Sequence, residues 1–223
     1  MRKICKILKK KDVGAIGIGA MIVFIAMVLV AGIAAAVLVQ TANDLEIQAM
    51  QTGKETTAEV ATGLHVFSVT GHVSNNEIDN MTIAIKPRAG SSDIDLSETV
   101  LEVSDGDIKV LLSYNSSATW NFNVSVDADD GQIFGTGAWN ETNEEFGIIV
   151  LEDADGSCTV DTPVINRGDL VVLCICTSAC FDGNGMDPRE DIWGIVMPED
   201  GSAGMFAFRV PSSLTAYTIY DLY

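Results

Sequence analysis

Between Val13 and Val39 the chain carries no charged or strongly polar side chain, and Lys9, Lys10 and Lys11 stand directly before that run. A helix from Ala15 to Val39 is roughly 37 Å long at 1.5 Å per residue, enough to cross the hydrocarbon core of a bilayer. Such a segment is an address, an anchor or an assembly device, and the lysines place its start on the cytoplasmic side. A removed secretory signal has a shorter apolar core followed by a small-residue cleavage site; here Ala34, Ala35 and Ala36 lie inside the run. The better break is upstream, between Gly14 and Ala15, where charge gives way to apolarity. Cutting there discards the basic head and keeps the apolar helix. While the lysines are attached, withdrawing the helix drags cations into hydrocarbon at about 2.5–3.5 kcal/mol each. Without them it can leave lipid for any equally apolar surroundings, such as a bundle of like helices.

The stretch Lys10-Lys11-Asp12-Val13-Gly14, then Ala15-Ile16-Gly17-Ile18-Gly19 and Met21-Ile22-Val23-Phe24-Ile25-Ala26-Met27-Val28-Leu29-Val30, resembles the N-terminus of archaeal flagellins, or archaellins, of the type IV pilin-like superfamily. The resemblance is strong over about residues 9 to 70 and weak beyond. It implies that a prepilin-peptidase-like signal peptidase cuts after Gly14, so that residues 1–14 are a leader. Residues 15–64 are then a helix that is membrane-inserted before assembly and the core of a filament afterwards. The implied function is that of structural subunit of the archaellum filament in swimming motility. The partners implied are other copies of the chain or other archaellins, and the assembly and motor machinery in the membrane. The implied location is the extracellular filament, with the precursor in the cytoplasmic membrane. Type IV pilins typically carry Phe and Glu at the first and fifth mature positions, where this chain has Ala15 and Gly19, which favours archaellin. An archaeal adhesive pilin, or a membrane-tethered surface adhesion or binding protein, is the alternative. Gly17, Gly19 and the alanines of the run allow close helix packing, which favours assembly.

Charge agrees with an exported polymer. The leader holds six bases and one acid, and the whole chain is −18, so the remainder carries seven bases and thirty acids, a net −23. A surface that acidic repels phosphates and excludes nucleic-acid partners.

From Thr41 to about Leu64 the helix continues, with Leu45, Met50, Ala58, Ala61 and Leu64 on one stripe and Gly53 as a candidate bend. Beyond Val66 the period becomes strand-like. Strands are predicted at His65–Val73, Met81–Pro87, Thr99–Val103, Ile108–Tyr114, Trp120–Val126, Glu145–Leu151, Asp169–Thr177, Met205–Val210 and Thr215–Tyr220. Turn clusters separate them, among them Asn75-Asn76, Asp105-Gly106-Asp107 and Asp155-Gly156-Ser157. The expected fold is therefore α+β: a long hydrophobic N-terminal helix, then an antiparallel immunoglobulin-like β-sandwich over residues 65–223 as an exposed head.

Four positions fit the N-glycosylation pattern: Asn80, Asn115, Asn123 and Asn140. Ordinary polar strand-edge residues are the alternative at each. Cys5 falls in the leader; Cys158, Cys174, Cys176 and Cys180 remain. Cys174 and Cys176 alternate along one strand and share a face, which suits them poorly to bond each other. Outside the cell disulfides are the default, joining them to Cys158 or Cys180. Zinc is the weaker reading because the spacing lacks C-x2-C pairs, and buried free thiols are a third. The loop from Cys180 to Asp191 places oxygen ligands at Asp182, Asn184 and Asp187 between glycines, as calcium loops do, although Met186 cannot serve a hard cation. A plain solvated turn is the alternative there, favoured by its Asp-Gly and Asn-Gly pairs. No other cofactor is expected. There is no G-x-S-x-G, no P-loop and no dinucleotide fingerprint, so the sequence predicts a structural protein and not an enzyme.

Overall fold

The computed structural model describes residues 2–115, 122–124, 133–135, 138–139, 144–181, 183 and 185–223, without the side chains of residues 2–16, 123, 124 and 135. Residues Met1–Glu55 and Thr56–Tyr223 form two compact units.

Helix α1 runs from Arg2 to Ala61, 60 residues, about 90 Å at 1.5 Å per residue. It passes through Gly14 and Gly53 without leaving the helical conformation and ends three residues short of the expected Leu64. Every described side chain from Gly17 to Ala61 is exposed, including Phe24, Met27, Leu29 and Ile33. From Gly17 to Val39 apolar residues occupy all sides of the helix instead of one stripe. A helix apolar all round belongs in lipid or in a protein core.

Among the described residues twelve strands follow: β1 (Leu64–Ser74), β2 (Glu77–Pro87), β3 (Ile94–Asp95), β4 (Val100–Ser104), β5 (Lys109–Ser113), β6 (Phe122–Val124), β7 (Gly147–Glu152), β8 (Val164–Ile165), β9 (Leu170–Cys176), β10 (Asp191–Met197), β11 (Gly204–Arg209) and β12 (Ile219–Asp221), with a short helix α2 (Thr177–Cys180) after β9. The larger sheet has the order β12-β1-β2-β9-β7-β6 and is antiparallel except where β6 lies parallel to β7. The smaller has the order β11-β10-β4-β5 and is antiparallel throughout. β3 and β8 pair separately. The β1–β2 hairpin closes on Asn75 and Asn76, both at positive φ (52° and 69°), the conformation a two-residue hairpin loop demands and Asn tolerates.

One core lies between the two sheets. Leu64, Val66 and Val69 of β1, Ile83 and Ile85 of β2, Ile148 of β7 and Leu173 of β9 meet Leu101 and Val103 of β4, Leu112 of β5, Val196 of β10 and Phe206 of β11. A second, smaller cluster covers the opposite face of the larger sheet. There Ala84, Ile149, Val172 and Cys174 lie beneath Ala138, with Ile133 and Trp139 packed against them. Gly147 permits that closure, since a Cβ there would stand 2.1 Å from the Ala138 carbonyl oxygen.

All nine predicted strands have counterparts, although the flanks of β6 lie outside the described residues. The sequence reading missed β3, β8 and, more importantly, β10, which sits at the centre of the smaller sheet. Gly194 interrupts β10, and an interior glycine weakens a strand signal. Its reason is tertiary: a Cβ on Gly194 would fall 2.3 Å from Phe206 Cζ and 2.7 Å from the Glu102 carbonyl oxygen.

The cysteines correct an expectation. Cys158, Cys174, Cys176 and Cys180 are all free thiols and all buried. Cys174 lies in the small outer cluster whereas Cys158 and Cys180 lie in the main core, so Cys174 and its expected partners occupy different layers. Burial pushes the Cys158 and Cys180 thiols up to about 12, and Cys174, fully buried, well above its ordinary value. Burial also raises Tyr114 to about 12, with the neighbouring Cys158 and Asp161 adding to it.

Two outcomes follow from this packing. Gly194→Ala is expected to destabilise the head by about 1–3 kcal/mol through overpacking, read as a lowered thermal midpoint of the detergent-solubilised chain. Cys158, Cys174, Cys180 and Tyr114 hold their protons longer when folded than when unfolded. The stability they contribute is therefore complete below about pH 9 and is lost as pH rises towards 12. Thermal melts between pH 8 and pH 12 are expected to fall most steeply above pH 9, and a midpoint that does not move across that range contradicts the assignment.

Candidate functional site: a helix end, its socket and a carboxylate cluster

The last turn of α1 enters the head through a compact set of backbone hydrogen bonds. Thr62 N–H donates to the Ala58 carbonyl (2.7 Å) and Ser202 N–H donates to the Thr62 carbonyl (2.9 Å). Leu64 N–H then donates to Ser202 O (3.1 Å), and Arg88 N–H to Gly63 O (2.9 Å). Side chains complete the set: Gly63 N–H reaches Ser91 Oγ at 3.3 Å and Ser92 N–H reaches Thr62 Oγ1 at 3.4 Å. Two glycines make room for this. A Cβ on Gly63 would stand 2.1 Å from Ser202 Oγ. Gly201, at φ +100°, would put one 2.4 Å from the Thr62 carbonyl oxygen. The helix end is thereby held by backbone groups, whose geometry side-chain motion cannot relax.

The cleavage position, Gly14 and Ala15, lies in helical backbone. Among the sequons, Asn80 is half-buried on the outer face of β2. It lines a cavity of about 430 Å³ with Asp79, Trp139, Cys176 and Ser178. The hydroxyl of its sequon partner Thr82 is buried and donates to the Thr70 carbonyl at 3.1 Å. Beside that cavity His72 Nδ1 lies 2.8 Å from Asp79 Oδ1. Asn115, just past β5, donates from Nδ2 to Glu145 Oε1 at 2.7 Å. Asn123 lies on β6 with its side chain outside the described residues, as does Asn140 altogether.

Of the three candidate calcium ligands, Asp182 and Asn184 lie outside the described residues. Asp187 is exposed, and its N–H donates to Glu190 Oε2 at 2.9 Å. The Glu190 carboxyl is raised by burial and, more weakly, by the nearby acids Asp105, Asp187 and Asp107.

A different carboxylate cluster lies among the described residues. Asp153, Asp155 and Asp169 each bring a carboxylate oxygen within 4.8 Å of the others. Their loops are tightly built. Asp153 Oδ1 accepts from Gly156 N–H (2.7 Å) and Oδ2 from Cys158 N–H (3.1 Å). Asp155 Oδ2 accepts from Asn166 Nδ2 at 2.6 Å. That bond first, then those from Ser157, hold the Asp155 carboxyl below its usual range. Asp169 is 3% exposed; its Oδ2 accepts from Asn166 N–H (2.8 Å), while its Oδ1 is buried with no hydrogen-bond partner among the described residues. A buried, unpartnered carboxylate oxygen is costly unless a cation completes it. Three carboxylates and no sulfur or imidazole donor suit a hard, oxygen-preferring ion. Sequence reasoning took Asp155-Gly156-Ser157 for a turn only. The available signal was the Asp153-x-Asp155-Gly spacing, but Asp169 joins it through the pairing of distant segments.

Residues 14–208 match the family model described as archaeal-type flagellin. The chain is 46% identical to flagellin B2 of Methanocaldococcus jannaschii over 211 residues, covering 95% of this chain and 94% of that one. It is 35% identical to flagellin B3 of Thermococcus kodakarensis over 254 residues, at 94% and 97% coverage. The crystal structure of archaeal flagellin FlaB1 from M. jannaschii superposes with a TM-score of 0.63 at 31% identity, covering 73% of this chain and 97% of that one. The archaeal flagellum of Methanospirillum hungatei gives the same TM-score of 0.63 at 13% identity, over 92% and 98% of the two chains, a likeness of fold alone. With a family match from the glycine before the apolar run to the strand β11, and whole-length relatives named flagellins, the chain belongs to the archaeal-type flagellin family.

Proposed function

We propose that the chain is the structural subunit of an archaeal flagellar filament, carrying no catalysis of its own and polymerising through α1 after its leader is removed. The observation that carries this is the 45-residue stretch Gly17–Ala61, long and apolar enough to cross a membrane and unburied in its own chain. Burying each large apolar side chain is worth about 1.5–3 kcal/mol, so the segment holds on the order of tens of kcal/mol that only lipid or other helices can realise. The subunit waits in the cytoplasmic membrane with its basic head attached. A prepilin-type peptidase cuts between Gly14 and Ala15, and the freed helix passes into a bundle of its copies or of related flagellins outside the cell, assembled by membrane machinery. The head, acidic and carrying sequons at Asn80, Asn115, Asn123 and Asn140, forms the solvent-facing sheath, with glycans as added bulk. No particular observation favours an adhesin or a tethered binding protein over this reading.

Asp153, Asp155 and Asp169 are the residues fitted to hold a calcium ion in the head, where it neutralises the crowded carboxylates and ties the 153–158 loop to the turn before β9.

Two experiments test the reading. Replacing Gly14 with valine is expected to leave the chain unprocessed, in the membrane fraction, and absent from sheared filaments; mass spectrometry of the wild-type filament is expected to find Ala15 as the first residue. Detection of Met1 in filament material contradicts it. For the cation, calcium at 100-fold over its dissociation constant is expected to stabilise the solubilised chain by about 2.7 kcal/mol. Asp169→Asn removes that response, and a wild-type midpoint indifferent to both calcium and chelator counts against the site.

A further inference from the structure

The outer face of the smaller sheet is built for contact and not for water. Register places Met205, Ile195, Glu102 and Leu111 in one row straight across β11, β10, β4 and β5. The adjacent row is Ala207, Trp193, Ser104 and Lys109, and Met197 and Val100 continue the face on the other side. An antiparallel sheet with one face on a core normally presents polar residues on the other. Here Met205 is 70% exposed, Leu111 56% and Trp193 39%.

The charges within this face cancel. Lys109 Nζ lies 2.7 Å from Glu102 Oε1 and 5.8 Å from the centre of the Trp193 ring, and Glu102 is nearly buried among its neighbours. Arg209 Nε stands 3.5 Å from Asp191 Oδ1 at the edge. The chain after Gly14 has only seven bases against thirty acids. An apolar, charge-balanced face is therefore where two such acidic heads can approach without strong repulsion.

Its size fixes what kind of contact it makes. Strands about 4.8 Å apart, with outward residues about 7 Å apart along them, give a face of roughly 300 Å². A stable pair of proteins buries about 800 Å² per partner. The face is too small to hold two heads together alone, but it adds to a contact whose main part is made elsewhere.

We propose that this face, centred on Met205, Ile195, Leu111 and Trp193 around the Glu102–Lys109 pair, is a head-to-head docking surface for a second copy of the chain already held by its helix in the filament. The proposal rests on the filament reading above.

Oxidative footprinting of the full chain tests it, comparing sheared filaments with detergent-solubilised, unassembled subunits. Met205 and Trp193 are expected to oxidise at least tenfold more slowly in filaments than in subunits. Leu111→Asp and Met205→Asp are each expected to leave the subunit in the membrane with an unchanged thermal midpoint while filament yield falls at least fivefold. Equal oxidation rates in both states overturn the proposal, as do normal filament yields from both variants. Protection already present in solubilised subunits means that the chain's own helix covers the face. Protection in membranes that is lost in filaments means that lipid does. Either result overturns it. Absence of the wild-type chain from filaments overturns the filament reading as well, and is recognised before any variant is compared.

Discussion

The whole molecule is organised by one unmet requirement: the apolar side chains of α1 from Ile18 to Val39 stand exposed on every side of their helix. Water cannot host them, and no single stripe can be turned inward to hide them. The helix needs an environment supplied from outside its own chain. In the function proposed above, lipid is that environment first and other helices afterwards, and removal of the basic residues before Gly14 is what lets the second compete.

Within the Thr56–Tyr223 unit the last turn of α1 is tied to the sheets around Thr62 and Gly63 by backbone-to-backbone hydrogen bonds and two glycines at sites where a Cβ has no room. The same device recurs at Gly194, where β10 passes under the Phe206 ring, and at Gly147, where the Ala138 carbonyl closes over β7. At each place the residue's use lies in what it lets come near. The core between the sheets is otherwise conventional in composition. Cys158 and Cys180 behave in it as small hydrophobes, their thiols pushed up by the same burial that packs them.

Much of this was legible in one dimension. The strand positions followed from alternation and from turn pairs such as Asn75-Asn76, because local sequence sets both. β10 escaped because Gly194 hides the pattern, and its glycine makes sense only once Phe206 and Glu102 are beside it. The carboxylate cluster escaped for a similar reason: Asp153 and Asp155 share a loop, but Asp169 comes from the turn before β9. Four cysteines in an exported chain suggested disulfides; the fold instead puts Cys174 on the opposite side of the larger sheet from Cys158 and Cys180.

By itself the sequence determined the helix, its basic head and the acidic β-rich remainder. Hydropathy, charge and alternation are properties of neighbouring residues, and neighbours are what a sequence records. Only the tertiary structure decided which aspartates converge, which glycines are obligatory, that the cysteines stay as separate thiols, and that Met205, Ile195 and Leu111 share one row on the outer face of the smaller sheet. Each of those depends on strand register between segments far apart in the chain, and register is fixed by the packing of the whole core.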